Sequence, residues 1–288
     1  VAKNGKGPTV LLTGANHGDE YEGPVALFDL ANHINPEEIS GRVIIIPGMN
    51  YPAFKAGRRT SPIDGGNMNR VFPGNPEGTF TEKIADYFNR TLLPMADYVV
   101  DFHSGGKTLD FLPFCCAHVL DDKTQQEKCV AAMKAFNAPH SVMLLEIDAV
   151  NMYDTAAENM GKVFISTELG GGGSTTAYTV EIAKKGIRNI LRHAGITTGD
   201  LEVDETLNLD MPDDNCYIFS ESTGLVEHCV DLGDEVKAGQ LVAKVHNIER
   251  TGTPPEEYHA KIDGIFTGKH FPGLVVNGDF LGVIAVPV

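Results

Sequence analysis

The chain has 288 residues, 42% of them hydrophobic, enough for one large domain or a main domain with a smaller companion. Its 39 acidic and 23 basic residues give a formal charge of −16. That balance argues against a nucleic-acid partner, whose phosphates need a basic face. No apolar run approaches the length that crosses a bilayer, so no membrane association is expected. The chain opens at Val1 with no initiator Met and no signal-like segment, which leaves open that it starts inside a longer protein. Five cysteines without a C-x-x-C pair speak against a zinc ribbon or a thioredoxin-like motif, and a reducing, cytoplasmic setting fits them best. The adjacent Cys115-Cys116 read better as small buried groups than as ligands.

Short apolar runs at residues 9–13, 43–46, 98–102, 141–145 and 163–167 read as strands. After the first, Ala26, Leu27, Leu30, Ala31 and Ile34 mark one helical face. Later, Val180, Ala183, Ile187, Ile190, Leu191 and Ala194 mark another, with Glu181, Lys184, Lys185, Arg188 and Arg192 opposite. This alternation predicts an α/β domain over residues 1–199, with helices packed on a largely parallel or mixed sheet.

From Leu201 helical periodicity disappears, and residues 200–288 read as a smaller all-β domain. Gly224-Leu225-Val226, followed by Gly233-Asp234-Glu235-Val236 and Gly239-Gln240-Leu241, is echoed by Gly264-Ile265-Phe266, followed by Gly278-Asp279-Phe280-Leu281. A repeat of about forty residues predicts two similar halves of a barrel or sandwich. The segment resembles the hairpins of biotinyl and lipoyl carrier domains. The turn region at 246–252 has no lysine to modify, so a structural module is expected rather than a swinging arm.

The first strand runs into Gly14-Ala15-Asn16-His17-Gly18-Asp19-Glu20, a turn carrying a His-x-x-Glu pair. A nitrogen and a carboxylate at this spacing can converge on one zinc ion, and ligands of α/β folds bind past the carboxyl ends of strands. A third ligand candidate is His103, which ends the strand Val99-Val100-Asp101-Phe102-His103; a capped, hydrogen-bonded histidine is the plain alternative. Asp101 shares its strand face and can orient a ligand, though which one stays open. Glu168 stands at another strand end and is the candidate general base. Gly170 to Gly173 follow it without the Lys-Ser or Lys-Thr of a P-loop, so a mobile loop beside the site is expected.

Cationic candidates lie in a Gly-rich loop carrying Arg58, Arg59, Asn69 and Arg70. Guanidinium groups there suit a substrate carboxylate and a developing oxyanion. Seven histidines, His33, His118, His140, His193, His228, His246 and His259, read as structural or surface residues; His270 stays undecided.

The order His17-x-x-Glu20, Asn69-Arg70, Asp101-x-His103 and Glu168 before glycines resembles the aspartoacylase and succinylglutamate desuccinylase family, relatives of the zinc carboxypeptidases. The resemblance spans nearly the whole chain. It implies a zinc-carboxypeptidase-like mixed sheet with helices and one zinc per chain on His17, Glu20 and His103. It also implies Glu168 as base, Arg59 at the acyl carbonyl, and Asn69 with Arg70 on a substrate carboxylate. Arg59 over Arg58 is the least constrained assignment. The stretches around Gly14 to Pro24 and Arg59 to Gly74 are similar to the bacterial N-acetyl-diaminobutyrate deacetylases of ectoine breakdown. The activity this implies is hydrolysis of a small N-acyl amino acid, N2-acetyl-L-2,4-diaminobutanoate, to diaminobutanoate and acetate. Rival readings are another N-acyl amino acid deacylase, a metallocarboxypeptidase and a lipoyl-like interaction protein; a homo-oligomer stays open.

Overall fold

The computed structural model describes residues 1, 6–144 and 150–288. In chain order the first strands are β1 (Thr9–Gly14), β2 (Arg42–Ile46), β3 (Tyr98–His103), β4 (Leu109–Phe111), β5 (Phe114–His118), β6 (His140–Leu144) and β7 (Val163–Glu168). The helices are α1 (Glu22–His33), α2 (Tyr51–Ala56), α3 (Phe80–Tyr87), α4 (Leu93–Met95), α5 (Lys123–Phe136), α6 (Tyr153–Glu158) and α7 (Ala177–His193). The expected run at 141–145 therefore starts one residue earlier, and Leu145 lies outside the described residues.

The remaining strands are β8 (Leu207–Asp210), β9 (Tyr217–Phe219), β10 (Gly224–His228), β11 (Glu235–Val236), β12 (Leu241–His246), β13 (Glu256–His259), β14 (Gly264–His270), β15 (Leu274–Val275) and β16 (Phe280–Pro287). The central order is β8-β6-β5-β7-β3-β1-β2. β2, β1, β3 and β7 run parallel, as do β5, β6 and β8, and the two blocks meet antiparallel at β5 and β7. The sheet is thus mixed.

Alternation along the strands sends side chains to two different cores. Val10, Leu12, Val100, Phe102, Val163 and Ile165 join the apolar faces of α1, α5 and α7. Leu11, Val99 and Phe164 face the other way, against Met68, Phe72, Phe88 and Tyr153. At about 25 cal/mol per Å² of buried apolar surface, these two layers supply the main drive for folding. Cys115 and Cys116 are buried, as expected of small buried groups, and all five cysteines are free.

Hydrogen bonding continues from β6 through β8 into β16 and β14, so the C-terminal strands extend the large sheet. A separate four-stranded sheet, β13-β12-β10-β15, packs over them around Val236, Val242, Val245, Phe266, Val275 and Ile284. The sequence echo has a structural counterpart. β11 pairs antiparallel with β14, and β15 pairs antiparallel with β10, so each half lends its short strand to the other. The two matching turns place Gly239 at φ 86° and Gly278 at φ 94°, the left-handed region that glycine adopts without steric cost.

Candidate metal centre and active site

The turn after β1 folds back because Ala15 adopts φ 52°, while Asn50 N and Met49 N donate to the carbonyls of Ala15 and Gly14. Gly18 lies so close to α2 that a Cβ there would stand 2.0 Å from the carbonyl carbon of Ala53. This packing holds His17 and Glu20 beside the carboxyl end of β3, where His103 is the last strand residue. His17 Nδ1 lies 2.8 Å from Glu20 Oε1, and His103 Nδ1 lies 2.9 Å from Glu20 Oε2.

The candidate donor atoms of His17, Glu20 and His103 all lie within 4.8 Å of one another, and these residues form the one potential metal cluster among those described. Two imidazole nitrogens and a carboxylate suit zinc, and three protein ligands leave a position open. Asp101 Oδ2 lies 2.6 Å from His103 Nε2 and also accepts from Asn16 Nδ2 at 2.9 Å, while Thr13 Oγ1 donates to Oδ1 at 2.8 Å. The candidate ligand that Asp101 orients is thus His103, whose Nδ1 is left for the cluster.

Glu168 ends β7 directly beside His103 in the sheet register, and its Oε2 is buried without a partner among the described residues. Burial, followed by the neighbouring Glu20 charge, pushes its carboxyl up to about 8. Burial likewise pushes Glu22 up to about 7. Burial opposes ionisation of Glu20, yet the facing His17 and His103 hold its carboxyl well below the usual range. Burial disfavours the His103 cation, but Asp101 and Glu20 outweigh it and raise its pKa. Burial lowers that of His17. A divalent cation in the cluster would disfavour protons at every one of these groups.

Arg59 Nη1 reaches to 3.5 Å from Glu20 Oε1 and lines the cavity, whereas Arg58 does not line it. Asn69 and Arg70 also line the cavity. Asn69 Oδ1 accepts from Tyr153 N at 3.0 Å, so its amide nitrogen is the group left to donate. Arg70 Nη1 donates to the Asn69 carbonyl at 2.7 Å. All seven sequence candidates, His17, Glu20, Arg59, Asn69, Arg70, His103 and Glu168, therefore meet around one site.

The expected mobile glycine loop is corrected by the packing. Gly170 O accepts from Gly105 N and Phe111 N, Gly172 N donates to Leu109 O, and Gly173 N donates to Gly106 O. At Gly172, φ is 70° and a Cβ would stand 2.7 Å from the Phe271 ring. These glycines permit close backbone approach. The undecided His270 is structural: it is buried, and its Nε2 lies 3.0 Å from Leu274 O.

Sequence reasoning missed the far wall of the cavity, which measures 240 Å³. Cys116, His118 and Ser166 line it from the sheet, and Thr267, Phe280 and Val283 line it from the C-terminal strands. The sheet residues were legible in part, since Ser166 stands two before Glu168 on the same strand face. The C-terminal wall carries no local signal. β14 is drawn to the site by pairing with β4, just beyond His103.

Residues 6–194 match the family model described as the succinylglutamate desuccinylase/aspartoacylase catalytic domain. The chain is 53% identical over 287 residues to N-alpha-acetyl-L-2,4-diaminobutyric acid deacetylase of Halomonas elongata, covering 99% of this chain and 84% of that protein. It is similar to the product-bound ectoine utilization protein EutE (DoeB) of Ruegeria pomeroyi, with a TM-score of 0.97, 64% identity, and coverage of 98% of this chain and 86% of that one. A succinylglutamate desuccinylase from Silicibacter sp. TM1040 superposes with a TM-score of 0.96 at 61% identity, over 99% of this chain and 87% of that one. Ordered motifs, converging side chains and this likeness over nearly the full length agree, and the chain belongs to the succinylglutamate desuccinylase/aspartoacylase family.

Proposed function

We propose that the protein is a zinc-dependent amidohydrolase that removes the acetyl group from N2-acetyl-L-2,4-diaminobutanoate, as a step in ectoine degradation. One observation carries the reaction class: Glu168, with an unpartnered buried Oε2, shares one cavity with His17, His103, Arg59, Asn69 and Arg70. The choice of substrate within that class follows the Halomonas elongata relative.

His17, Glu20 and His103 would hold the ion, one per chain. When bound, zinc supplies Lewis acidity, polarising a carbonyl and bringing the pKa of water from 15.7 to about 7. Glu168 takes the proton of the attacking water and returns it to the departing amine. Arg59 faces the oxygen on which negative charge develops. Asn69 and Arg70 hold the substrate carboxylate. We take residues 1–199 as the catalytic unit and 200–288 as a barrel-sandwich module that closes the cavity. A cavity of 240 Å³ suits a small amino acid derivative, since pockets for drug-sized ligands run from roughly 300 Å³ upward. A peptide would meet the wall of Thr267, Phe280 and Val283.

The test is product analysis of zinc-loaded protein with N2-acetyl- and N4-acetyl-diaminobutanoate, N-acetyl-aspartate, N2-succinyl-glutamate and a short peptide. Acetate and diaminobutanoate released chiefly from the N2-acetyl isomer is the expected result. A preference for succinyl-glutamate or the peptide would overturn the assignment.

A further inference from the structure

Resting on that reading, we infer that Asp154 binds the side-chain ammonium of the substrate and so selects diamino acids over neutral ones. The substrate carries two charges besides the amide: a carboxylate and an ammonium. Arg70 and Asn69 suit the first. A cation held away from bulk water needs a carboxylate. Among the described residues lining the cavity only Glu168 and Asp154 carry one, and Glu168 is committed to the water.

Asp154 is 6% exposed. Its Oδ1 accepts from the backbone N and, at 3.1 Å, the Oγ1 of Thr155. Its Oδ2 has no hydrogen bond or ion pair among the described residues. Asp19 Oδ1 and Glu22 Oε2 are also unpartnered among the described residues, but neither residue lines the cavity. A carboxylate at the cavity wall, with one oxygen unpartnered among the described residues, is a site for a cation brought by the substrate.

The position is well defined. Tyr153, the preceding residue, is fully buried, and its ring packs 4.9 Å from Phe72 and 5.8 Å from Phe164 between centroids. Its backbone N–H holds Asn69, so one turn of chain places both the carboxylate clamp and Asp154. The two charged ends of a diamino acid then have partners on the same wall. The plain alternative is that Asp154 only bonds the N–H and hydroxyl of Thr155 within the first turn of α6. That role would be blind to the charge of a substrate.

The experiment compares kcat/KM for N2-acetyl-L-2,4-diaminobutanoate and N-acetyl-L-norvaline, in which a methyl replaces the ammonium. The unmutated protein should favour the diamino substrate by about 10- to 150-fold, the range of a buried charge-assisted hydrogen bond. Asp154→Asn should abolish that preference while keeping the norvaline rate. Asp154→Ser keeps a short acceptor for Thr155 N and should behave alike, which covers the case in which the first variant fails to fold. As a measurement on the unmutated protein, L-2,4-diaminobutanoate should inhibit norvaline-derivative cleavage more strongly than L-norvaline does. An unchanged preference in either folded variant, or equal loss on both substrates, overturns the role of Asp154 and leaves the deacetylase reading intact. If the unmutated protein does not cleave N2-acetyl-diaminobutanoate, the deacetylase reading falls and this inference with it.

Discussion

Asp101 Oδ2 lies 2.6 Å from His103 Nε2, and Nδ1 of the same ring lies 2.9 Å from Glu20 Oε2. A carboxylate behind a ligand histidine fixes its tautomer and ring orientation, and losing such a partner typically weakens metal binding by about 10- to 100-fold. Asp101→Asn should therefore raise the zinc Kd by about that factor, and His103→Ala should abolish stoichiometric binding. Competition with a chelator measures both. An Asp101→Asn protein with unchanged affinity would remove Asp101 from the centre.

Glu168→Gln keeps the shape of the side chain but cannot take a proton. Zinc content and substrate affinity should persist while turnover falls by about 100- to 10,000-fold. Steady-state kinetics on zinc-loaded protein decides it, and near-normal turnover would sink the general-base role.

The Asn69 amide oxygen is occupied by Tyr153 N, so Asn69→Asp replaces the remaining donor with an acid facing the substrate carboxylate. KM should rise, with a smaller change in kcat. Arg70→Ala should raise KM by about 10- to 150-fold, and α-carboxamide analogues should be poor substrates of the unmutated protein. Equal cleavage of carboxylate and carboxamide would dismiss this clamp.

Gly18→Ala would drive a Cβ into the backbone of α2, 2.0 Å from Ala53 C and 2.2 Å from Phe54 N. Backbone cannot yield as a flexible side chain can, and overpacking of this kind costs about 1–3 kcal/mol. A lowered Tm with weakened zinc binding is expected, because the displaced turn carries His17 and Glu20. A variant with unaltered Tm and zinc affinity would show that the turn tolerates the shift.

Without metal, burial holds Glu168 at about 8 and Glu22 at about 7, against 4.5 for an ordinary glutamate. The folded protein then binds more protons than the unfolded chain between those values, so stability falls as pH rises through that window. The metal-free Glu22→Gln, Glu168→Gln double variant should lose less Tm between about pH 5 and 8 than the unmutated metal-free protein. Parallel Tm curves would mean that these carboxyls are not held protonated.

The strand ends carrying His17 with Glu20, His103 and Glu168 were legible in the sequence, because an apolar run stopping at a polar residue is a local pattern. Asp101 was legible for the same reason, lying two residues before His103 on one strand face. The C-terminal echo was legible too, since both turns need glycine in the left-handed region. Which ligand Asp101 supports was not, because the answer is a ring rotation that packing sets.

Only the tertiary structure separated Arg59 from Arg58, because adjacent loop residues carry no periodicity to say which faces inward. The antiparallel junction of β5 and β7 was equally hidden, since a short buried run such as Phe114-Cys115-Cys116-Ala117-His118 gives no strand direction. The glycines after Glu168 looked like freedom and proved to be contact, with Leu109 and Gly106 pressed against them. Asp154 and the wall of Thr267, Phe280 and Val283 come to the site from segments more than a hundred residues apart in the chain. Ligand types are written in local sequence; the shape that selects a substrate depends on contacts between distant segments, which side-chain periodicity does not encode.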